Sequence, residues 1–120
     1  LSSVVVNISN AVSIKLGDYG FGINFTIYLD NGDGTFTLKD LTNLTATLKV
    51  YRAGAASTVL LSKSLSILNP PANGVCQWVV GATDTTVIGA GNWSAEIQLT
   101  GAGYQESTSD PFQVQIVYAP

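Results

Sequence analysis

The sequence predicts an all-β domain, specifically an antiparallel β-sandwich of about seven to nine strands. Three observations carry this. Phe21, Ile23, Phe25, Ile27 and Leu29 alternate with Gly22, Asn24, Thr26, Tyr28 and Asp30. Such period-two alternation is a strand with one dry face and one wet face. Clusters of Gly, Pro, Asn and Asp punctuate the chain at short spacing, as turns do. No segment carries a convincing helical repeat of apolar residues.

Length and composition narrow the possibilities. At 120 residues the chain is one domain, long enough to bury a core. Apolar residues reach 46%, which excludes a disordered chain. Charged residues are only 11%, against about 25% in ordinary soluble domains. Such a surface is rich in hydroxyls and suited to cover by neighbours. The net charge is −3 and the five cations are scattered, so no basic patch offers itself to nucleic acid. No apolar run reaches the roughly 18 residues of a bilayer span. Cys76 is the single cysteine, expected as a small buried hydrophobe rather than half of an internal disulfide. Met is absent even at position 1, as expected of a processed product or an excised domain.

Taken in order, residues 1–10 form a β-prone arm or first strand, with Val4, Val6 and Ile8 in line and Val5 opposite. Val12, Ile14 and Leu16 continue that parity, as one long strand or as a strand that changes sheets midway. Residues 11–120 read as a single domain. Gly17-Asp-Tyr-Gly20 turns into the alternating strand, and Asp30-Asn-Gly-Asp-Gly34 turns out of it to a short segment at Phe36–Lys39. In Asn43–Tyr51, Leu44, Ala46, Leu48 and Val50 point inward. Ala53–Ala56 is a turn and Val59–Leu68 a less regular strand. Asn69-Pro-Pro-Ala-Asn-Gly74 breaks the sheet, since two prolines have no place in its interior. Val75–Val80 is apolar enough to be covered on both sides. Asp84–Gly91 connects onward to a strand with Trp93, Ala95, Ile97 and Leu99 on one face. Gly101-Ala-Gly103 turns back into Tyr104–Ser107, and Phe112, Val114, Ile116 and Tyr118 align in the last strand. The outline is immunoglobulin-like, although a lone cysteine cannot form the cysteine pair of antibody domains.

Little here suggests catalysis. The chain has no His, which removes Ser-His-Asp and Cys-His catalysis and His-based metal sites. A glycosidase needs only two carboxylates in a cleft. Most of the eight present fall in turns, where Asp serves the backbone. Glu96 faces outward. The chain is read as a non-enzyme that needs no cofactor. Asp30–Thr35 has calcium-like composition, but Gly32 stands where an EF-hand loop needs its second ligand. A hairpin loop explains it better. Asn7, Asn24, Asn43 and Asn92 head Asn-X-Ser/Thr sequons and are candidate glycosylation positions in a secreted protein. The last three are expected on polar strand faces. Trp78 and Trp93 are expected in the core rather than stacked on a sugar.

Several short motifs occur in a particular order. They are Ile14–Leu16, Gly17-Asp18, Phe21–Asp30, Asn31–Gly34 and Asp40-Leu-Thr42. Ala72-Asn-Gly-Val75, Thr83-Asp84, the strand Gly91–Leu99 with Trp93, Ala95 and Glu96, and Asp110-Pro-Phe112 follow. From about Val12 to Val117 this order resembles the immunoglobulin-like module at the N-terminus of phage baseplate upper proteins and of related phage tail proteins. The resemblance implies a structural protein of a virion: an adaptor or decoration on a tail, baseplate or capsid. Its partners would be other copies of itself and other structural proteins of the particle, and it brings no catalytic residues. On this reading Val4, Val6 and Ile8 are an assembly arm, unless residues 1–10 are simply the first strand. The alternative is a secreted cell-surface or filament subunit, such as an adhesin module assembling by strand exchange. The missing Met, the low charge and the sequons suit it.

Overall fold

The computed structural model describes residues 3–6 and 12–118. Ten strands, one helical turn and one 3-10 turn occur among these residues. The strands are β1 (Ser3–Val6), β2 (Val12–Lys15), β3 (Gly22–Asp30), β4 (Phe36–Leu38) and β5 (Thr45–Tyr51). After them come β6 (Val59–Ile67), the 3-10 turn Pro71–Asn73, β7 (Val75–Val79) and the helix α1 (Asp84–Ile88). The chain ends on β8 (Gly91–Gly101), β9 (Tyr104–Ser107) and β10 (Phe112–Val117). The all-β expectation holds.

The strands form one continuous path, β1-β3-β7-β6-β5-β8-β10-β2, with β4 added to β3 and β9 to β8. The path is curled. The ring of Phe25, from β3 near one end, lies 5.2 Å from that of Phe112, from β10 near the other. The Ser109 amide donates to the Val4 carbonyl at 2.9 Å, tying the segment before β10 to β1. Strand β6 makes the passage between the two limbs. Its residues up to Leu65 pair with β5, and Ser66 and Ile67 pair with β7. Every pairing is antiparallel except β2 with β10. β1 and β2 therefore sit at opposite ends of the path, so the chain changes position between them.

The alternation places the core. Phe25, Ile27, Ala46, Leu48, Val50, Ala95, Ile97, Leu99, Val114 and Ile116 are all buried, each on the expected parity. Each fully buried aliphatic side chain contributes roughly 1.5–3 kcal/mol. The ends of the runs depart from expectation. Phe21 precedes β3 and is 39% exposed, and Tyr118 follows β10 and is 77% exposed. Each lies one residue beyond the end of its strand. Tyr51 is buried although its parity points outward, because the register with β6 shifts between Val50 and Tyr51. A bulge of this kind redirects a side chain. Strand β7 is covered on one face only. Cys76, Trp78 and Val80 are buried, and Val79 is exposed.

Gly74 shows how β3 changes partner. The Ile27 amide donates to the Gly74 carbonyl, and the Lys39 amide donates to the Ile27 carbonyl. Here β7 hands over to β4 along one edge of β3. Gly74 has φ +73, and a Cβ there would stand 2.8 Å from two backbone oxygens. Only glycine meets both conditions.

Candidate functional site

Two polar constructions stand out from the sheet. The first is internal. Asp84 opens α1 and is buried. The Trp78 indole N–H donates to Asp84 Oδ2 at 3.0 Å, and the Gly81 amide donates to the same oxygen at 2.8 Å. Lys63 Nζ lies 3.2 Å from that carboxylate. Burial raises the Asp84 pKa, but the Gly81 amide, the Trp78 indole and Lys63 outweigh it and hold the acid below its ordinary value. Asp84 was expected to serve a turn, and the helical turn there was not foreseen. The carboxylate does accept the Gly81 amide of that turn, and it also neutralises Lys63 and satisfies the indole of a core tryptophan. Among the described residues no buried side-chain nitrogen or oxygen lacks a partner. The construction is complete in itself and belongs to the fold.

The second is open. A groove of about 390 Å³ is lined by Val5, Val6, Tyr28, Asp30, Phe36 and Asp110. Its floor follows from register. β1 and β4 flank β3, with Val5 opposite Tyr28, Tyr28 opposite Leu38, and Asp30 opposite Phe36. Directly opposed residues share a face, so Val5, Tyr28 and Leu38 form one row on the outer face. Phe36 is 55% exposed and Leu38 47%. Asp110 reaches the groove from the segment that Ser109 ties to β1. Asp30 Oδ1 accepts the Gly32 amide at 3.0 Å. Its other carboxylate oxygen has no partner among the described residues.

The remaining sequence candidates are dispersed. Val4 is buried against β3, with Leu29 as its register partner, and Val6 is half-buried. Residues 3–6 thus pair within their own chain. Ile8 and Asn7 lie outside the described residues. Asn24 and Asn92 are exposed on strands. Asn43 is exposed too, but in a turn with φ +61 rather than on a strand face. In the Asp30–Thr35 loop, Asp33 Oδ1 accepts the amide and hydroxyl of Thr35. Asp40 does the same with Thr42. These threonine bonds hold both carboxyls below the usual carboxylate range. The loop carboxylates thus turn toward their own backbone. Cys76 is fully buried, and burial pushes its thiol up to about 12, which keeps it inert. Trp93 is half-buried and donates its indole N–H to the Gly89 carbonyl at 2.8 Å.

The groove was not singled out from the sequence, although a signal existed. Val5 and Tyr28 are apolar or aromatic at wet parity, and Phe36 and Leu38 share a parity on the next strand. Their adjacency appears only once the strand order is known.

No protein-family model and no curated protein matches the sequence. Among solved structures, the endo-beta-1,4-mannanase from Thermotoga petrophila is similar, with TM-score 0.51 and 12% identity. The match spans 99% of this chain and 20% of that one. The chain therefore corresponds to about a fifth of that protein's length, and the likeness is one of fold. Among the described residues no helix is long and apolar enough to cross a membrane.

Proposed function

We propose that this chain is a non-enzymatic structural protein of a phage or other viral particle, acting through protein–protein assembly. The observation that carries the reading is the outer face of β1, β3 and β4, where Val5, Tyr28, Phe36 and Leu38 adjoin. Apolar patches of this kind on a sparsely charged domain suit burial against a neighbour. The finer description is an immunoglobulin-like β-sandwich, with one layer led by β3 and the other by β5, β8 and β10. The facing Phe25 and Phe112 rings and the passage of β6 between limbs support it. The N-terminal arm, Val4, Val6 and Ile8, is a second contact in this reading only by exchange, with β1 of one copy pairing on β3 of another in place of its own. Two measurements test the proposal. Mass spectrometry of gradient-purified particles should find the chain as a stoichiometric component. Light scattering should show concentration-dependent association that Phe36→Ser/Leu38→Ser abolishes. Absence from particles, together with a monomer at every concentration, refutes it.

A second reading, a secreted cell-surface or filament subunit, is favoured by the exposure of Asn24, Asn43 and Asn92. Expression through a glycosylating secretory pathway would show glycan mass on these three asparagines. Unmodified peptides would count against it.

A further inference from the structure

We infer that the groove between β1, β3, β4 and the segment around Asp110 receives a basic side chain, an arginine above all, from another protein of the assembly. The inference rests on the assembly reading and deepens it by naming the chemistry of the contact. Six of the described residues line the groove: two carry carboxylates, Asp30 and Asp110, and two are aromatic, Tyr28 and Phe36. Val5 and Val6 complete it, and no cation is among them. Two negative charges beside apolar walls, without a counter-charge among the described lining residues, favour a cation over a neutral ligand. The aromatic faces narrow the choice. A guanidinium stacks on rings and weakly resists dehydration, and its planar fork bonds carboxylates in pairs. A sugar hydroxyl could bond the same oxygens, but it gains nothing from their charge. The domain's own cations are partly committed. Lys63 pairs with Asp84, and Lys39 Nζ lies 5.0 Å from the centroid of the Tyr104 ring.

The test uses ethylguanidinium as probe, ethylurea as its uncharged counterpart and cellobiose as a sugar. Each is titrated into the isotope-labelled chain and followed by backbone amide NMR. Ethylguanidinium should give saturable shifts at Val5, Tyr28, Asp30, Phe36 and Asp110, weakened by salt. Asp30→Asn/Asp110→Asn should lower its affinity about tenfold or more. Asn at position 30 keeps the Oδ1 acceptor for the Gly32 amide, so the loop should stay folded. Equal response to ethylurea, unchanged affinity in the double variant, or no localised shift would overturn the inference. So would a stronger response to cellobiose, which would mark a carbohydrate site. Self-association abolished by Arg52→Gln would make a second copy the occupant and also overturn it. The two proposals fail separately. Loss of assembly in Phe36→Ser/Leu38→Ser, with no effect of the Asp→Asn changes, sinks the cation and keeps the assembly face. Probe binding by a chain absent from particles does the reverse.

Discussion

The limb built from β5, β8 and β10 and the limb built from β1, β3 and β4 have the same inner face and different outer faces. Inside, both bury aliphatic or aromatic residues on alternate positions: Ala46, Leu48, Ile97 and Val114 in the first, Val4, Phe25 and Ile27 in the second. Outside, the first carries Thr47, Lys49, Glu96, Gln98 and Gln115, with Val117 a single exposed apolar residue at the end of β10. The second carries Val5, Tyr28, Phe36 and Leu38. Folding explains the inner faces completely. It does not explain the second outer face, which is where a role beyond folding is to be sought.

The largest effects belong to the shared inner face. Ile97→Ala and Ile27→Ala should each destabilise by roughly 2–5 kcal/mol, since both side chains are 0% exposed and each substitution leaves a cavity. Urea unfolding would measure this. If the two limbs differ severalfold, their inner faces are not equivalent and the comparison fails at its base.

Next comes the alkaline limit. Burial pushes Cys76 from 9.0 up to about 12. Burial first, then Glu106, pushes Tyr104 from 10.0 up to about 12. A raised folded pKa gives stability that is intact below the unfolded value and is lost as pH climbs toward the folded one. Stability should therefore decline from about pH 9 to pH 12, with Cys76 contributing up to about 4 kcal/mol of the loss. In Cys76→Ala the decline should begin nearer pH 10. An unchanged profile in that variant would mean that the thiol is not buried on the inner face of β7.

Asp84→Ala should cost roughly 2–3 kcal/mol, because it leaves the Trp78 indole and the Gly81 amide without an acceptor. Lys63→Met should cost under about 1 kcal/mol, since the Lys63 side chain is 32% exposed. The Asp84 pKa is lowered in the fold, so its contribution is present above about pH 3.8 and disappears as pH falls further. Equal costs for the two variants would show that the ion pair, rather than the two N–H donors, sets the energy.

Local period and turn chemistry are written in the chain, and they sufficed for the strands, the odd-parity core of β3 and β8 and the even-parity core of β5 and β10. Runs were overextended by one residue at Phe21 and Tyr118, because periodicity does not say where a covering neighbour ends. Asp84 was read only in its turn role, because Asp near a Gly-Ala turn is ordinary. What distinguishes it is Trp78, six residues earlier, whose indole arrives only when β7 and α1 pack. The groove fails for the same reason on a larger scale. Val5, Tyr28, Phe36 and Leu38 come from three strands, and β3 must acquire β1 and β4 on opposite edges before they adjoin. Short elements such as α1, five residues long, leave no period to read.

The smallest effect on stability sharpens the comparison most. Ser64 is exposed on β6, opposite Thr47, on the wet outer side of the first limb. Leu38 is exposed on β4, on the outer side of the second. Lysine at either position buries no charge and breaks no ladder bond, so Ser64→Lys and Leu38→Lys should each change unfolding free energy by less than about 0.5 kcal/mol. Their effects on surface behaviour should diverge. Leu38→Lys interrupts the apolar row with Tyr28 and Val5, and so should reduce both binding of a hydrophobic dye to the native protein and self-association. Ser64→Lys adds the same charge where no apolar row exists, and so should leave both unchanged. The pair thereby separates net charge from position. If both variants change association equally, the chain's net charge of −3 governs its encounters and the second outer face is no different from the first. If only Leu38→Lys acts, with stability intact, that face is a surface kept for contact rather than for folding.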